Sequence, residues 1–280
     1  MSLIAEFPPT SFVYADRIED HDPPPAWLVA LVKRARGLVL PLLLAAAWHW
    51  ASSIDASMAY AFVPLDQVWE RLLQLLSTGE LAINAGSSLG RALTGLALGG
   101  LSGILLGSLM AGFPLVERLF GPLLQAFRQV PPLGWLPLVG LWLGSGEEAK
   151  QLLVAVAAFH PLLLNSYEGF AQAEKKHLEV GRVLMLSRWR SFRFILLPTA
   201  LPSILTGVGQ ALAFAWISTI GVELLFGTGA GLGSLMHTAQ MAGDMGVVLL
   251  CVISIGLMGY GLNLILSLVR ARLLRWRVTG

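Results

Sequence analysis

Charged side chains are scarce in this sequence. Asp, Glu, Lys and Arg make up 13% of its 280 residues, against about 25% in ordinary soluble chains. Hydrophobic residues make up 55%. Such a composition excludes a disordered chain and a nucleic-acid-binding protein, and it argues strongly against a cytosolic enzyme.

Residues that carry familiar chemistry are scarce as well. The single cysteine, Cys251, excludes an intrachain disulfide. None of the four lysines follows a glycine, so the sequence lacks the Gly-Lys loop that binds nucleotide phosphates. No nucleophile with a neighbouring base and no cluster of metal ligands stands out. We expect no catalysis and no bound metal or cofactor. His160, in an apolar stretch, is expected to be a hydrogen-bonded core residue.

The sequence does contain long stretches without charge. A helix needs roughly 20 apolar residues to cross a bilayer, and in lipid a lone segment can satisfy its backbone only as a helix. Six stretches approach or exceed that length, and Arg128 interrupts the third. They predict an all-α membrane protein with six transmembrane helices, at 37–54, 92–116, 119–146, 151–167, 194–222 and 245–269.

Basic residues predict the orientation of these helices. If the N-terminus is cytoplasmic, 15 of the 19 Lys and Arg residues fall in cytoplasmic segments, and the opposite loops are mainly acidic. Cytoplasmic loops of membrane proteins are enriched in Lys and Arg. Both termini are therefore predicted to be cytoplasmic, with 1–36 as a tail before the membrane domain.

Small residues and prolines mark two of the predicted helices. Glycine recurs every fourth residue in the second, which predicts close packing against another helix. That helix belongs either to the same chain or to a second copy. The third contains four prolines, which break helices. At membrane depth such a break persists only where protein or a water-filled cavity covers it. The glycines are Gly95, Gly99, Gly103 and Gly107.

Two segments on the predicted outer side have distinct patterns. Apolar residues recur at helical spacing within 56–86, which predicts an amphipathic helix, either packed on the bundle or lying on the membrane surface. Glycines at 227, 229, 231 and 233 do not fit a dinucleotide-binding motif. They favour a flexible outer turn.

The segment 168–198 combines charge with apolar surface. It carries six of the 15 basic residues of the predicted cytoplasmic side. Ser187 is an expected helix N-cap, so a short helix, a turn and a second helix would lie at the cytoplasmic surface. Such a helix suits a groove on a soluble partner or the surface of anionic lipid.

This segment resembles the EAA loop of permease subunits of type I ATP-binding-cassette importers. Glu179 occupies the Glu position of the motif, and Ile195, Leu197 and Pro198 follow at the motif's spacing. Two features depart from it. The alanines are replaced by Val180 and Gly181, and the loop glycine is Met185, where a left-handed backbone would cost about 1 kcal/mol.

Other residues resemble the branch of this family that handles sulfonates, taurine and nitrate. The resemblance covers about 37–277, which would form the transmembrane permease domain. The matching features are Ser88-Leu89 with Arg91, Arg128 with Pro131-Pro132-Leu133, Trp135-Leu136-Pro137, Phe159 with Pro161 and Asn165, Glu223, and Gly231-Leu232-Gly233.

The resemblance implies a division of labour among subunits. The chain would be one half of a homodimeric pathway in the bacterial inner membrane. Two ATPase subunits would bind ATP and Mg, and an external binding protein would deliver the substrate. The residues that it assigns to coupling with the ATPase are Glu179, Val180, Gly181, Met185, Ser187, Ile195, Leu197 and Pro198. Those that it places near the pathway are Arg128, Gln129, Pro132, Trp135 and Glu223.

Several functional alternatives stay open at this stage. The substrate is expected to be an aliphatic sulfonate or taurine, with nitrate, cyanate or a vitamin precursor as alternatives. A secondary transporter would need an ion-coupling acid in a span and often an internal repeat. A membrane scaffold or enzyme would be favoured by a catalytic constellation in the spans. The sequence shows no clear ion-coupling acid in a span, no clear internal repeat and no catalytic constellation.

Overall fold

The protein is described here by a computed structural model. It covers residues 39–53 apart from 41 and 45, 62–172, 179, and 183–275, the last without the side chain of Arg188. All regular secondary structure in these ranges is helical, which confirms the all-α class. The predicted tail at 1–36 lies outside the described residues.

Four long helices of the described chain are separated by shorter helical segments. A 3₁₀ turn at Pro132–Trp135 and a π-helical turn at Phe192–Leu196 lie between α-helices. Described positions between 39 and 52 are also helical. In chain order the remaining helices are α1 (Leu65–Ser77), α2 (Glu80–Gly112), α3 (Pro114–Phe127), α4 (Leu136–Leu143), α5 (Glu147–Ala171), α6 (Arg188–Ser191), α7 (Leu197–Phe226), α8 (Leu232–Met241) and α9 (Met245–Leu273).

The glycine stripe of α2 packs directly on α5. A Cβ at Gly99 would overlap the backbone carbonyl of Ala155, and one at Gly103 would lie 2.5 Å from the carbonyl oxygen of Phe159. Gly107 meets the carbonyl of Leu163 in the same way, and Gly95 packs against the side chain of Val154. Close backbone approach of this kind drives helix association in lipid, where burying apolar side chains gives no advantage. The partner that the sequence left open is therefore α5 of the same chain.

Helix α7 completes the core by packing antiparallel to α5. Small residues again allow the approach: a Cβ at Gly169 would lie 3.0 Å from the carbonyl oxygen of Ala200, and one at Gly207 3.2 Å from that of Pro161. The buried apolar residues between these helices include Leu153, Val154, Leu162, Ala211 and Val222. The end of the bundle at which Glu80, Glu147, Glu223 and Asp244 lie is called the Glu223 end. The opposite end, with Gly112, Ala171, Pro198 and Leu273, is called the Pro198 end.

Three of the described helices are long and apolar enough to cross a membrane. They are α2, the continuous helix Trp189–Phe226 and α9. The third predicted span is divided into α3, the 3₁₀ turn and α4. The fourth lies in α5, whose first turn carries Glu147, Glu148 and Lys150. The count of six spans thus stays a prediction.

Helix α1 is the amphipathic helix predicted within 56–86. Its Val68 and Leu75 are buried in a cluster that includes Val247 and Leu250 of α9. Trp69, Leu73 and Leu76 are exposed. One face of α1 therefore packs on the bundle, as the first of the two alternatives had it, and a second apolar face stays uncovered.

Candidate functional site

The break in the third predicted span is a defined structure. Helix α3 ends at Phe127, Arg128 follows as its C-cap, and Pro132 opens the 3₁₀ turn that ends at Trp135. Prolines 131 and 132 have no N–H to continue a helical ladder. The chain therefore turns here and exposes Arg128.

Phe127 is the centre of an aromatic stack that fixes the turn against α5. Its ring lies 4.7 Å from that of Trp135 and 5.4 Å from that of His160, centroid to centroid. The sequence predicts a hydrogen-bonded core residue at His160, and the structure places it half-buried within this stack. However, His160 Nε2 and Trp135 Nε1 are enclosed without a hydrogen-bond partner among the described residues. Buried polar atoms of this kind are uncommon in folded proteins and indicate a functional or conformational constraint.

Two cavities adjoin this stack. The larger has a volume of about 240 Å³ and lies between the turn, α5 and α7, where Arg128, Pro132, His160 and Gln210 contribute to its wall. The smaller, of about 170 Å³, lies against α3. Both border Arg128, His160 and Leu164. His160 lies about 20 Å along α5 from Glu147, at 1.5 Å per residue, so the cavities are near mid-depth of the bundle.

The structure gathers some of the predicted pathway residues and separates others. Arg128 and Pro132 line the larger cavity, and Trp135 belongs to the stack. Gln129 is exposed and donates from its side chain to the carbonyl of Gln125 at 3.4 Å. Glu223 lies elsewhere, at the Glu223 end.

Sequence reasoning missed Gln210 as a neighbour of Arg128. Gln210 lies on α7, far from Arg128 along the chain. Its side-chain oxygen Oε1 accepts a hydrogen bond from the side chain of Asn165 at 3.0 Å. It is the one amide side chain in α7, and this was the signal that could have drawn attention to it.

The Glu223 end contains a buried ionic cluster. The carboxylate of Glu223 is fully buried and is ion-paired with Arg91, itself 5% exposed. Ser88 donates to Glu223 at 2.8 Å, and the backbone N–H of Gly233 donates at 2.9 Å. Glu147 accepts two hydrogen bonds from Arg91, at 2.7 and 2.6 Å. The Glu223 carboxylate is thus enclosed by groups of this chain.

Glu147 is the exposed member of this cluster. Its side chain is 62% exposed at the first residue of α5. Hydrogen bonding to Arg91 holds the pKa of the Glu147 carboxyl below its ordinary value. Glu147 therefore stays ionised across the physiological pH range and keeps Arg91 paired on its solvent side.

The glycine-rich turn before α8 is held firmly, and the expectation of a flexible turn was wrong. Leu232 is fully buried, and its N–H donates to Ser88 at 2.8 Å. The N–H of Gly231 donates to the side chain of Asn84 at 2.7 Å, and Lys150 donates to the carbonyl of Thr228. A Cβ at Gly231 would overlap the Glu223 carboxylate. Gly231 is therefore explained by close approach to a buried charge.

The segment that resembles the EAA loop is described only in part. Val180 and Gly181 lie outside the described residues, and Glu179 is an exposed helical residue. Met185 has a φ of 52° and is 92% exposed. The chain thus adopts the left-handed backbone that a glycine would favour at this position, although the residue there is methionine.

The second helix of this segment begins as predicted. Ser187 precedes α6, and its hydroxyl accepts the N–H of Arg190 at 3.4 Å, a weak cap. The π-helical turn that follows contains Ile195 and ends next to Leu197 and Pro198. Pro198 has no N–H to donate to the preceding turn. The hydroxyl of Thr199 donates to the carbonyl of Ile195 at 2.7 Å. The π turn, one residue wider than an α turn, is found where helices carry functional strain.

Comparison with known proteins gives a consistent result. Residues 103–278 match the family described as "Binding-protein-dependent transport system inner membrane component". The chain is 31% identical over 243 residues to the putative aliphatic sulfonates transport permease protein SsuC of Bacillus subtilis (strain 168), covering 86% of this chain and 87% of that protein.

Two further relatives extend the match. The taurine transport system permease protein TauC of Escherichia coli (strain K12) is 30% identical over 239 residues, covering 84% of this chain and 86% of that protein. The nitrate import permease protein NrtB of Leptolyngbya laminosa is 27% identical over 259 residues, covering 89% and 92%. The predicted resemblance to the sulfonate, taurine and nitrate branch is confirmed. The permease is a non-enzymatic channel subunit, and ATP hydrolysis resides on a separate subunit. The chain belongs to the family of inner membrane permease components of binding-protein-dependent ABC importers.

Proposed function

We propose that this permease forms half of a homodimeric pathway that imports a small organic anion, an aliphatic sulfonate or taurine. The observation that carries the substrate class is the mid-depth cavity beside Arg128, a cation with no ion-pair partner among the described residues. The similarity to SsuC and TauC supports the same class. Nitrate is the second candidate, supported by the similarity to NrtB.

The Pro198 end is the proposed docking surface for two ATPase subunits. Its described apolar residues are strongly exposed, among them Val183, Leu184 and Trp189, and a soluble partner would cover them. Glu179, Met185 and Ser187 would contact that partner, with Val180 and Gly181. Ile195, Leu197 and Pro198 would pass the movement to α7. By the distribution of basic residues this end faces the cytoplasm, with both termini, in a bacterial inner membrane.

The proposed mechanism is alternating access. ATP and Mg bound by the partner subunits would draw the two docking segments together and bias the bundle towards one of two arrangements. A binding protein would supply substrate at the Glu223 end. This chain would contribute the translocation pathway and the segment that transmits movement from the ATPase to α7.

The test is ATPase activity of the reconstituted complex with its ATPase and binding protein. We expect stimulation by taurine or an alkyl sulfonate, and loss of that stimulation in Glu179→Ala. Glu148→Ala is the matched control, because it removes an exposed carboxylate at the opposite end of the bundle. Stimulation by nitrate alone would overturn the substrate class. Failure of the ATPase to copurify with this chain would overturn the docking role.

A further inference from the structure

The larger cavity offers more than a positive charge. We propose that it is a binding site for an alkanesulfonate, with the sulfonate at Arg128 and the alkyl chain along α5 and α7. This inference rests on the proposed function, for which it supplies the site and narrows the substrate to sulfonates without a second charge. A cavity between helices, mostly apolar with a few converging polar groups, is the usual form of a small-molecule site.

The charge at the cavity wall is available to a ligand. Arg128 caps α3 and is exposed. No acidic side chain is among the described residues that line the larger cavity. Glu117, on the wall of the smaller cavity, accepts a hydrogen bond from the hydroxyl of Tyr167 at 2.5 Å. The guanidinium is thus free to form charge-assisted hydrogen bonds with the three oxygens of a sulfonate.

The rest of the wall selects what is attached to the anion. Val156, Leu164 and Phe214 line the larger cavity, so that an alkyl chain would bury apolar surface there. Nitrate has no such chain and would leave this surface wet. Taurine carries an ammonium group, which would lie against apolar side chains with no carboxylate to pair with it. The lining therefore favours alkanesulfonates over both taurine and nitrate.

His160 gives the site an unused polar atom. It borders both cavities, and its Nε2 has no partner among the described residues. In the tautomer that carries the proton on Nε2, the ring can donate to an acceptor. A sulfonate held by Arg128 offers such acceptors, and a ring stacked on the imidazole face leaves the in-plane N–H direction unblocked.

The experiment measures binding separately from transport. Labelled ethane-, propane- and butanesulfonate are equilibrated by dialysis with the purified permease–ATPase complex in a non-ionic detergent, without the binding protein. Each added methylene should tighten binding by roughly two- to fourfold. Arg128→Gln should weaken every member of the series by about tenfold or more while the increment per methylene persists. Val156→Thr should reduce the increment and leave the contribution of Arg128 unchanged.

Arg118→Gln is the matched control, since it removes the same charge from α3 at a position that lines neither cavity. It should bind like the wild type. No saturable binding by the wild type, or equal binding by Arg128→Gln, overturns the site, and ATP-dependent uptake of sulfonate by the same complex would then leave the proposed function standing. Binding that depends on Arg128 without any uptake supports the site and contradicts the proposed function.

Discussion

The two ends of the bundle differ in which side chains they bury and which they expose. At the Glu223 end, charged side chains are buried and paired within the chain, as Arg91 with Glu223 shows. At the Pro198 end, apolar side chains such as Leu184 and Trp189 are exposed, and the π turn interrupts the helix. The buried charges of one end are thus satisfied within the chain, whereas the other end presents apolar surface that a further subunit would cover.

The difference shows where this chain can tolerate change. Glu223 on α7 is bound by Arg91 and Ser88 of α2 and by the N–H of Gly233 on α8. A change at any one of these groups therefore alters the hydrogen bonding of the others. Residues around Met185 have few neighbours within the described chain, so changes there should act on partner binding more than on the stability of the fold.

The largest effect is expected from Arg91→Ala. The variant would leave Glu223 buried without its cation, and breaking a buried pair in this way costs about 3–5 kcal/mol. The midpoint of thermal unfolding in detergent should fall by many degrees. Arg118→Ala, which removes an arginine of α3 that has no ion pair among the described residues, should leave the midpoint nearly unchanged. An equal fall of the unfolding midpoint in both variants would show that the buried ion pair does not stabilise the fold more than an exposed arginine does.

A double variant sharpens the same point. Replacing Arg91 and Glu223 together by Met and Leu removes both charges, and apolar pairs of similar volume commonly substitute for buried ion pairs. It should recover part of the stability lost in Arg91→Ala. No recovery would mean that the hydrogen bonds from Ser88 and Gly233, rather than the ion pair, hold the cluster.

An intermediate effect is expected from Gly99→Ala in the middle of the bundle. One added methyl would overlap the carbonyl of Ala155, and forcing extra volume into a packed contact costs about 1–3 kcal/mol. Gly86→Ala on the same helix is the control, because a Cβ there meets nothing within 4 Å. That variant should be as stable as the wild type or more so, since alanine favours helix over glycine. Unfolding in mixed micelles distinguishes the two.

The smallest effect is expected from Met185→Gly at the Pro198 end. Glycine relieves the left-handed backbone but enlarges the freedom of the unfolded chain. The free energy of unfolding should therefore change by no more than about 1 kcal/mol. Stimulated ATPase activity of the complex should be retained. A loss of activity at unchanged stability would show that the partner contacts the Met185 side chain itself.

Features that depend on local sequence were readable before the structure. The glycine spacing in α2 predicted close packing because helical periodicity places every fourth residue near one face. The proline pair at 131 and 132 predicted the break because each proline removes a backbone donor. The EAA-like spacing identified the family, and the comparisons confirm it.

Features that depend on distant parts of the chain were not readable. Arg91 and Glu223 are 132 positions apart, and no local pattern says which acid a buried arginine will meet. The glycines at 231 and 233 suggested mobility, whereas the close approach of α7 at Glu223 requires their small size. The cavity beside Arg128 forms because α5 and α7 place His160 and Gln210 on its wall, and these residues are distant in sequence.

The π turn at Phe192–Leu196 has a further consequence for the geometry of the Pro198 end. A π turn amounts to one residue inserted into an α-helix. Deleting a single residue there would restore an uninterrupted helix through Arg188–Phe226 and would rotate everything before it by about 100° around the axis of α7. Met185 and Ser187 would then face another side of the bundle. A one-residue insertion thus sets the direction in which the docking segment leaves the membrane domain, independently of the chemistry of the segment itself.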